Sequence, residues 1–192
     1  MELQHKTAMA TASFLVVLGA CSLPSSVSGP RPPETGRDLI VPIEGVSTGD
    51  LVDSWDAARG GGRRHEGVDI MAEEGTQVRA AAAGVILKLH TSERGGLTLY
   101  QSDTSGHFIF CYAHLSAYTP ELEEGMAIEQ GQVIAAVGRS GNATTPHLHF
   151  EVLRAKTPGQ WWGGEAVNPY RALLVGRVDD EPAKASATGG QR

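Results

Sequence analysis

Residues 84–114 read GVILKLHTSERGGLTLYQSDTSGHFIFCYAH and contain three strand-like segments in succession. The segments at 84–91, 97–102 and 108–114 are rich in β-branched, aromatic and other apolar residues. Short turn sequences at 94–96 and 103–106 separate them, and each turn contains glycine. Such runs, joined by short glycine-containing turns, are typical of β-hairpins. This stretch therefore predicts neighbouring antiparallel strands.

The same pattern extends on both sides of this stretch. Residues 132–137 and 147–153 are further strand candidates, whereas residues 53–59 and 170–175 could each form a turn or two of helix. Glycine contributes 24 of the 192 residues, above its average share of about 7%, as expected for a turn-rich β protein. The sequence predicts a mainly β fold: one antiparallel β-sheet domain over residues 39–176, with short helices and disordered segments at both ends.

The first residues resemble an export signal. Residues 8–20 are apolar or small throughout, a length that suits a signal-peptide core better than a membrane span. They end in Leu18-Gly19-Ala20-Cys21, which resembles a bacterial lipobox. We therefore expect a lipoprotein signal peptide at 1–20 and lipidation of Cys21; the alternative is a plain secretory signal with an incidental cysteine. A flexible tether at 21–38 and a disordered tail at 177–192 complete the predicted organisation.

Composition excludes some partners and leaves others open. The formal net charge is −6 and no basic stripe is present, so we expect no nucleic-acid partner. Cys111, the second of two cysteines, lies in an apolar run and is predicted to be a buried, unreactive thiol. We expect a monomer that is attached to a lipid bilayer through acylated Cys21.

The candidates for metal chemistry are four of the seven histidines: His65, His114, His147 and His149. His65 and Asp69 are four residues apart, and His147 and His149 are two apart, so in extended segments each pair would point to one face. Two histidines and an aspartate are a suitable ligand set for a catalytic zinc ion with one open position. Taken separately, either pair is more often an ordinary surface pair, and even together their spacing leaves both interpretations open.

Three motifs in order resemble the M23 peptidase family, the lysostaphin-like or LytM-like group. They are HEGVDI at 65–70, YAHL at 112–115 and HLHFE at 147–151, and the resemblance extends over roughly residues 42–170. It implies that His65, Asp69 and His149 bind one Zn²⁺. It also implies that His114 and His147 flank the attacking water and act in catalysis. No position of the family pattern is missing.

The resemblance also implies a substrate and a location. We expect a zinc endopeptidase that hydrolyses stem peptides or cross-bridges of peptidoglycan, anchored at the periplasmic face of an outer membrane or otherwise at the cell surface. One alternative is a non-catalytic LytM-type adaptor that activates a cell-wall amidase, although such an adaptor has no need of all five residues. Another is a protease that acts on proteins.

Overall fold

The computed structural model describes residues 38–178. The predicted signal peptide, Cys21, residues 21–37 of the predicted tether and residues 179–192 of the predicted tail lie outside this range. Within it, Asp38 pairs with Arg177 in an isolated antiparallel bridge and Val178 is buried, so both ends are attached to the folded core. No helix in the described range is both long and apolar enough to cross a bilayer.

Nine strands of the described range form one antiparallel sheet, which confirms the predicted fold class. The strands are β1 (Val68–Met71), β2 (Gln77–Arg79), β3 (Gly84–Ser92), β4 (Gly96–Asp103), β5 (Phe108–Tyr118), β6 (Ala127–Ile128), β7 (Val133–Val137), β8 (His147–Arg154) and β9 (Glu165–Val167). Helix α1 (Pro169–Val175) follows, and 3-10 turns occupy Thr48–Asp50 and Gly60–Gly62.

The sheet order is β1-β8-β5-β4-β3-β6, so strands distant in sequence become neighbours. Outside this path, β7 pairs with both β5 and β2, and β9 pairs with β8. The long central strand β5 therefore lies between β4 and β8, and β8, which carries the second histidine motif, lies between β5 and β1, which carries Asp69 of the first.

The core is apolar around one buried polar network. Tyr112 is fully buried and packs against Phe150, with ring centroids 5.3 Å apart. Its hydroxyl donates to Gln101 Oε1 (2.7 Å) and accepts from the Ala81 backbone N–H (2.8 Å). Gln101 Nε2 in turn donates to the Ala82 carbonyl. Each member is satisfied, as buried polar groups require, and the network fixes β5 against the 80–82 segment.

Of the two predicted helices, one is confirmed and one is wrong. The 170–175 prediction corresponds to α1, which Asn168 caps through its side chain and Gly176 ends in a left-handed conformation. Residues 53–59 instead form bends and the first half of a hairpin, since Asp56 has φ 60° and the glycines at 60–62 reverse the chain.

Candidate metal centre and active site

A short hairpin, residues 56–65, precedes β1 and ends at His65, the first residue of the first motif. We name it the arginine hairpin. Its arms are joined by hydrogen bonds from Asp56 N to His65 O (2.9 Å) and from His65 N to Ala57 O (3.0 Å). Nearer the tip, Arg59 N donates to Arg63 O (3.0 Å). The tip glycines at 61 and 62 adopt positive φ, which suits glycine. His65 therefore ends a constrained loop immediately before β1.

The remaining ligand candidates lie on paired strands. Asp69 of β1 is the register partner of His149 of β8. Leu148 and Phe150 are completely buried, whereas His149 projects from the opposite face of β8. The alternation predicted for the HLHF motif is thus present, and strand pairing brings Asp69 and His149 together across 80 residues of sequence.

Three potential ligand atoms form a compact triangle. His65 Nε2 lies 2.9 Å from His149 Nδ1 and 3.1 Å from Asp69 Oδ1, and Asp69 Oδ1 lies 2.9 Å from His149 Nδ1. A tetrahedral zinc ion with bonds of about 2.0–2.1 Å holds its ligand atoms about 3.3 Å apart. The side chains therefore need to separate only slightly to accommodate the ion.

The outer nitrogens of both rings have acceptors. His65 Nδ1 lies 2.6 Å from the Ser54 carbonyl, and His149 Nε2 lies 2.8 Å from Glu151 Oε1. A carbonyl or carboxylate on the far nitrogen fixes the tautomer that leaves the near nitrogen free to bind a metal. The donor set and its orientation both fit a zinc ion. Glu151 is thus the hydrogen-bond partner of the His149 ring.

Asp69 is held by contacts on both oxygens. Burial raises its pKa, but hydrogen bonds from His149, His65 and Arg59 outweigh burial and hold the pKa of Asp69 far below its usual range. Arg59 Nη2 donates to Oδ2 at 2.5 Å. The Asp69 backbone N–H also donates to Ser54 Oγ (3.0 Å). Asp69 is therefore ionised at any pH at which the protein would act.

Burial and carboxylates oppose each other at His149. Burial lowers the pKa of this imidazole. Hydrogen bonds and charge from Asp69 and Glu151 have the larger, opposite effect and raise the pKa to about 9. In the absence of a metal ion, His149 is therefore protonated at neutral pH.

His114 lies beside this triangle because β5 bulges there. β5 has one more residue than β4 between Tyr112 and Leu115, and His114 adopts φ 62°. Its Nδ1 lies 2.9 Å from the Ser140 carbonyl, so that nitrogen carries the proton and Nε2 is free. Burial lowers the pKa of His114, and the nearby His147 lowers it further, against the raising effect of the Ser140 carbonyl.

His147 occupies the other side of the same space. Its Nδ1 lies 2.8 Å from the Thr145 carbonyl, and its Nε2 lies 3.8 Å from Asp69 Oδ1. The His114 and His147 ring centroids are 4.8 Å apart. The structure thus brings all five predicted side chains, two of them outside the triangle, into one group.

The group lies in an open cleft of about 910 Å³. The arginine hairpin lines one part of it, and residues 92–95 and 142–145 line another. Cys111 belongs to its floor but is buried, which raises the pKa of the thiol and keeps it protonated.

The tryptophan pair lies elsewhere. Trp161 packs on Tyr100 and His90, with ring centroids 4.9 and 5.6 Å away. Trp162 is 57% exposed. Among the described residues that line the cleft, neither tryptophan is present. Trp161 therefore packs on side chains of β3 and β4 and is not among the residues that line the cleft.

Sequence reasoning missed the contacts that orient the site. The carbonyls of Ser54, Ser140 and Thr145 have no signature in residue type, because any residue could supply them. Arg59 could not be selected among the arginines at 59, 63 and 64 without knowing the path of the hairpin.

Comparison with known proteins identifies the family of this chain. A family model described as Peptidase family M23 matches residues 63–169. An L-Ala–D-Glu endopeptidase of Bacillus subtilis (strain 168) is 33% identical over 129 residues, covering 62% of this chain and 38% of that protein. The uncharacterized lipoprotein YgeR of Escherichia coli (strain K12) is 30% identical over 170 residues, covering 88% of this chain and 59% of that protein.

The fold has solved counterparts. The catalytic domain of lysostaphin from Staphylococcus simulans superposes with a TM-score of 0.57 at 27% identity, covering 66% of this chain and 95% of that domain. This chain spans about two fifths and three fifths of the length of the two curated relatives. The family match takes in all nine strands and more than half of the residues, and so this chain belongs to peptidase family M23.

Proposed function

We propose that this chain is a zinc-dependent endopeptidase that hydrolyses peptide bonds in the stem peptides or cross-links of bacterial peptidoglycan. The observation that carries the proposal is the triangle of His65 Nε2, Asp69 Oδ1 and His149 Nδ1, whose atoms are 2.9–3.1 Å apart. These three residues would hold the zinc ion. When bound, zinc would polarise a scissile carbonyl and lower the pKa of water to about 7.

The two remaining histidines supply proton transfer. Both have Nδ1 directed at a backbone carbonyl, which leaves Nε2 of each ring available in the cleft. We assign the role of base to His114, because burial lowers the pKa of its imidazole and favours the neutral ring that can accept a proton. It accepts the proton of the attacking water at Nε2, while His147 Nε2 stabilises developing negative charge or protonates the leaving amine.

Two relatives support the proposed substrate and location. The B. subtilis protein is named for cleavage of an L-Ala–D-Glu bond, a linkage between short residues of opposite chirality. The open cleft leaves room for such a peptide. The E. coli relative is named a lipoprotein, which supports acylation of Cys21 and attachment of this chain to a membrane outside the cytoplasm.

The test is digestion of purified sacculi by the full chain in detergent, with and without a chelator, followed by mass spectrometry of released fragments. We expect metal-dependent cleavage of a peptide bond. His147→Ala should retain zinc and lose about 10²–10⁴-fold in turnover, whereas His149→Ala should lose both zinc and activity.

The same experiment separates the alternatives. Zinc binding without any cleaved peptide bond would favour the amidase-activating adaptor. Cleavage of glycine-rich protein substrates in preference to sacculi would favour a protease that acts on proteins. Full zinc content in His149→Ala would show that the ligands are assigned wrongly.

A further inference from the structure

We infer that Arg59 is a positioning residue that holds Asp69 with one oxygen towards the metal position and the other turned away. The inference rests on the proposed zinc site. Arg59 lies six positions before His65, the first residue of the HEGVDI motif at 65–70, and is therefore outside that motif.

The two oxygens of Asp69 have different surroundings. Oδ1 lies within 3.1 Å of His65 Nε2 and His149 Nδ1, and thus belongs to the ligand triangle. Oδ2 instead accepts a hydrogen bond from Arg59 Nη2. A carboxylate held at both oxygens cannot rotate about its Cβ–Cγ bond without breaking a charged hydrogen bond. Arg59 therefore fixes the plane of the carboxylate, with one oxygen facing the site and the other directed away from it.

The arginine hairpin fixes the backbone from which Arg59 makes this contact. Arg59 is tied to Arg63 across the hairpin by its backbone N–H, and Ala58 pairs with Arg64 in a β-bridge. The base of the same hairpin ends at His65, whose ring is fixed by the Ser54 carbonyl. One short loop thus presents the first ligand and orients the second.

The other guanidinium groups nearby do not perform this role. Arg64 contacts Asp56, with Nη1 2.9 Å from its carbonyl oxygen and 3.7 Å from Oδ2, and its side chain is 65% exposed. Among the described residues, Arg59 is the arginine whose salt bridge reaches a ligand candidate. Its side chain is 38% exposed and that of Asp69 is 19% exposed, so the pair is partly shielded from water.

A purely structural ion pair would behave differently from a positioning pair. Exposed ion pairs contribute little to stability, and losing one should leave zinc affinity unchanged. Groups that orient a metal ligand instead change metal affinity when they are removed, typically by about 10–100-fold. Zinc affinity therefore discriminates between the two roles without reference to catalysis.

The experiment is a zinc competition titration against a chromogenic chelator, with the full chain in detergent. Arg59→Gln should raise the zinc Kd by about 10–100-fold. Arg59→Lys keeps the charge but lacks the planar fork, so we expect an intermediate loss. Arg64→Gln removes an arginine of the same hairpin and should stay within about twofold of the unaltered protein.

Thermal unfolding of the metal-free variants controls for the fold. A wild-type Kd in Arg59→Gln would overturn the inference, and so would an equal loss of affinity in Arg64→Gln. If metal-free Arg59→Gln unfolds at a lower temperature than the unaltered protein, Arg59→Lys decides. An intermediate zinc affinity in Arg59→Lys supports positioning, and an unchanged zinc affinity contradicts the inference. Failure of the unaltered protein to bind zinc would overturn the proposed function itself.

Discussion

His149 lies between two carboxylates, and this has a measurable consequence for metal binding. Although burial lowers its pKa, Asp69 and Glu151 together raise it to about 9. Zinc binds the neutral imidazole, so binding below pH 9 must displace the proton. Zinc affinity should therefore fall as the pH is lowered from 9, by about tenfold per pH unit from this residue. Calorimetric titration at pH 7.5, in buffers of different ionisation enthalpy, should detect the released proton.

Glu151→Gln is the matched control for that release. It removes one of the two carboxylates that raise the pKa of His149, while an amide oxygen can still accept from Nε2. We expect the variant to release less of a proton per zinc at pH 7.5. Equal proton release from both proteins would contradict the assignment of the raised pKa to these carboxylates.

At the level of single residues, sequence predicted the group but not its supports. His65, Asp69, His114, His147 and His149 stand in recognisable motifs, and the structure brings them together. Their orientation depends on backbone carbonyls and on one arginine, whose positions are set by loop paths and strand register. A residue-type pattern cannot contain those contacts, because most of them involve atoms that every residue possesses.

Close packing between the loop before β1 and strand β8 leaves room only for glycine at position 67. A Cβ there would lie 2.6 Å from His149 Cε1 and 2.9 Å from the Phe150 carbonyl oxygen. Gly67→Ala should therefore displace the His149 ring, weaken zinc binding and lower the free energy of unfolding by about 1–3 kcal/mol. Chemical denaturation of the metal-free protein and a zinc titration measure the two effects.

Gly60→Ala serves as the control for this substitution. Nothing lies within 4 Å of a Cβ at Gly60, and its φ is not positive. That variant should be unchanged or stabilised by up to about 1 kcal/mol, because alanine restricts the unfolded chain. If Gly67→Ala matched it in stability and zinc affinity, the packing argument would be wrong.

At the level of elements, strands with long apolar or alternating runs were predictable and short ones were not. The predicted runs at 84–91, 97–102, 108–114, 132–137 and 147–153 correspond to β3, β4, β5, β7 and β8. β2, β6 and β9 have only two or three residues each, too few to show a period. The helix predicted at 53–59 was wrong because local propensity is outweighed there by the glycines at 60–62, which form the arginine hairpin.

At the level of the whole molecule, the site exists only when the sheet has formed. The ligand candidates come from the arginine hairpin, β1 and β8, and His65 and His149 are 84 residues apart. The β8–β5 pairing places Ala113, next to His114, opposite His149. The order β1-β8-β5 thus builds the group, and that order is a property of long-range pairing rather than of any motif.

A site assembled in this way should stabilise the entire fold when it is filled. Zinc binds the folded sheet better than the unfolded chain, because the unfolded chain does not hold the three ligands together. At about 100 times its Kd, zinc should add about 2.7 kcal/mol, which raises the melting temperature of such a domain by roughly 5–10 °C. Differential scanning calorimetry with zinc and with chelator measures the shift. His149→Ala should show none, and a similar rise in that variant would mean that zinc stabilises the protein from another site.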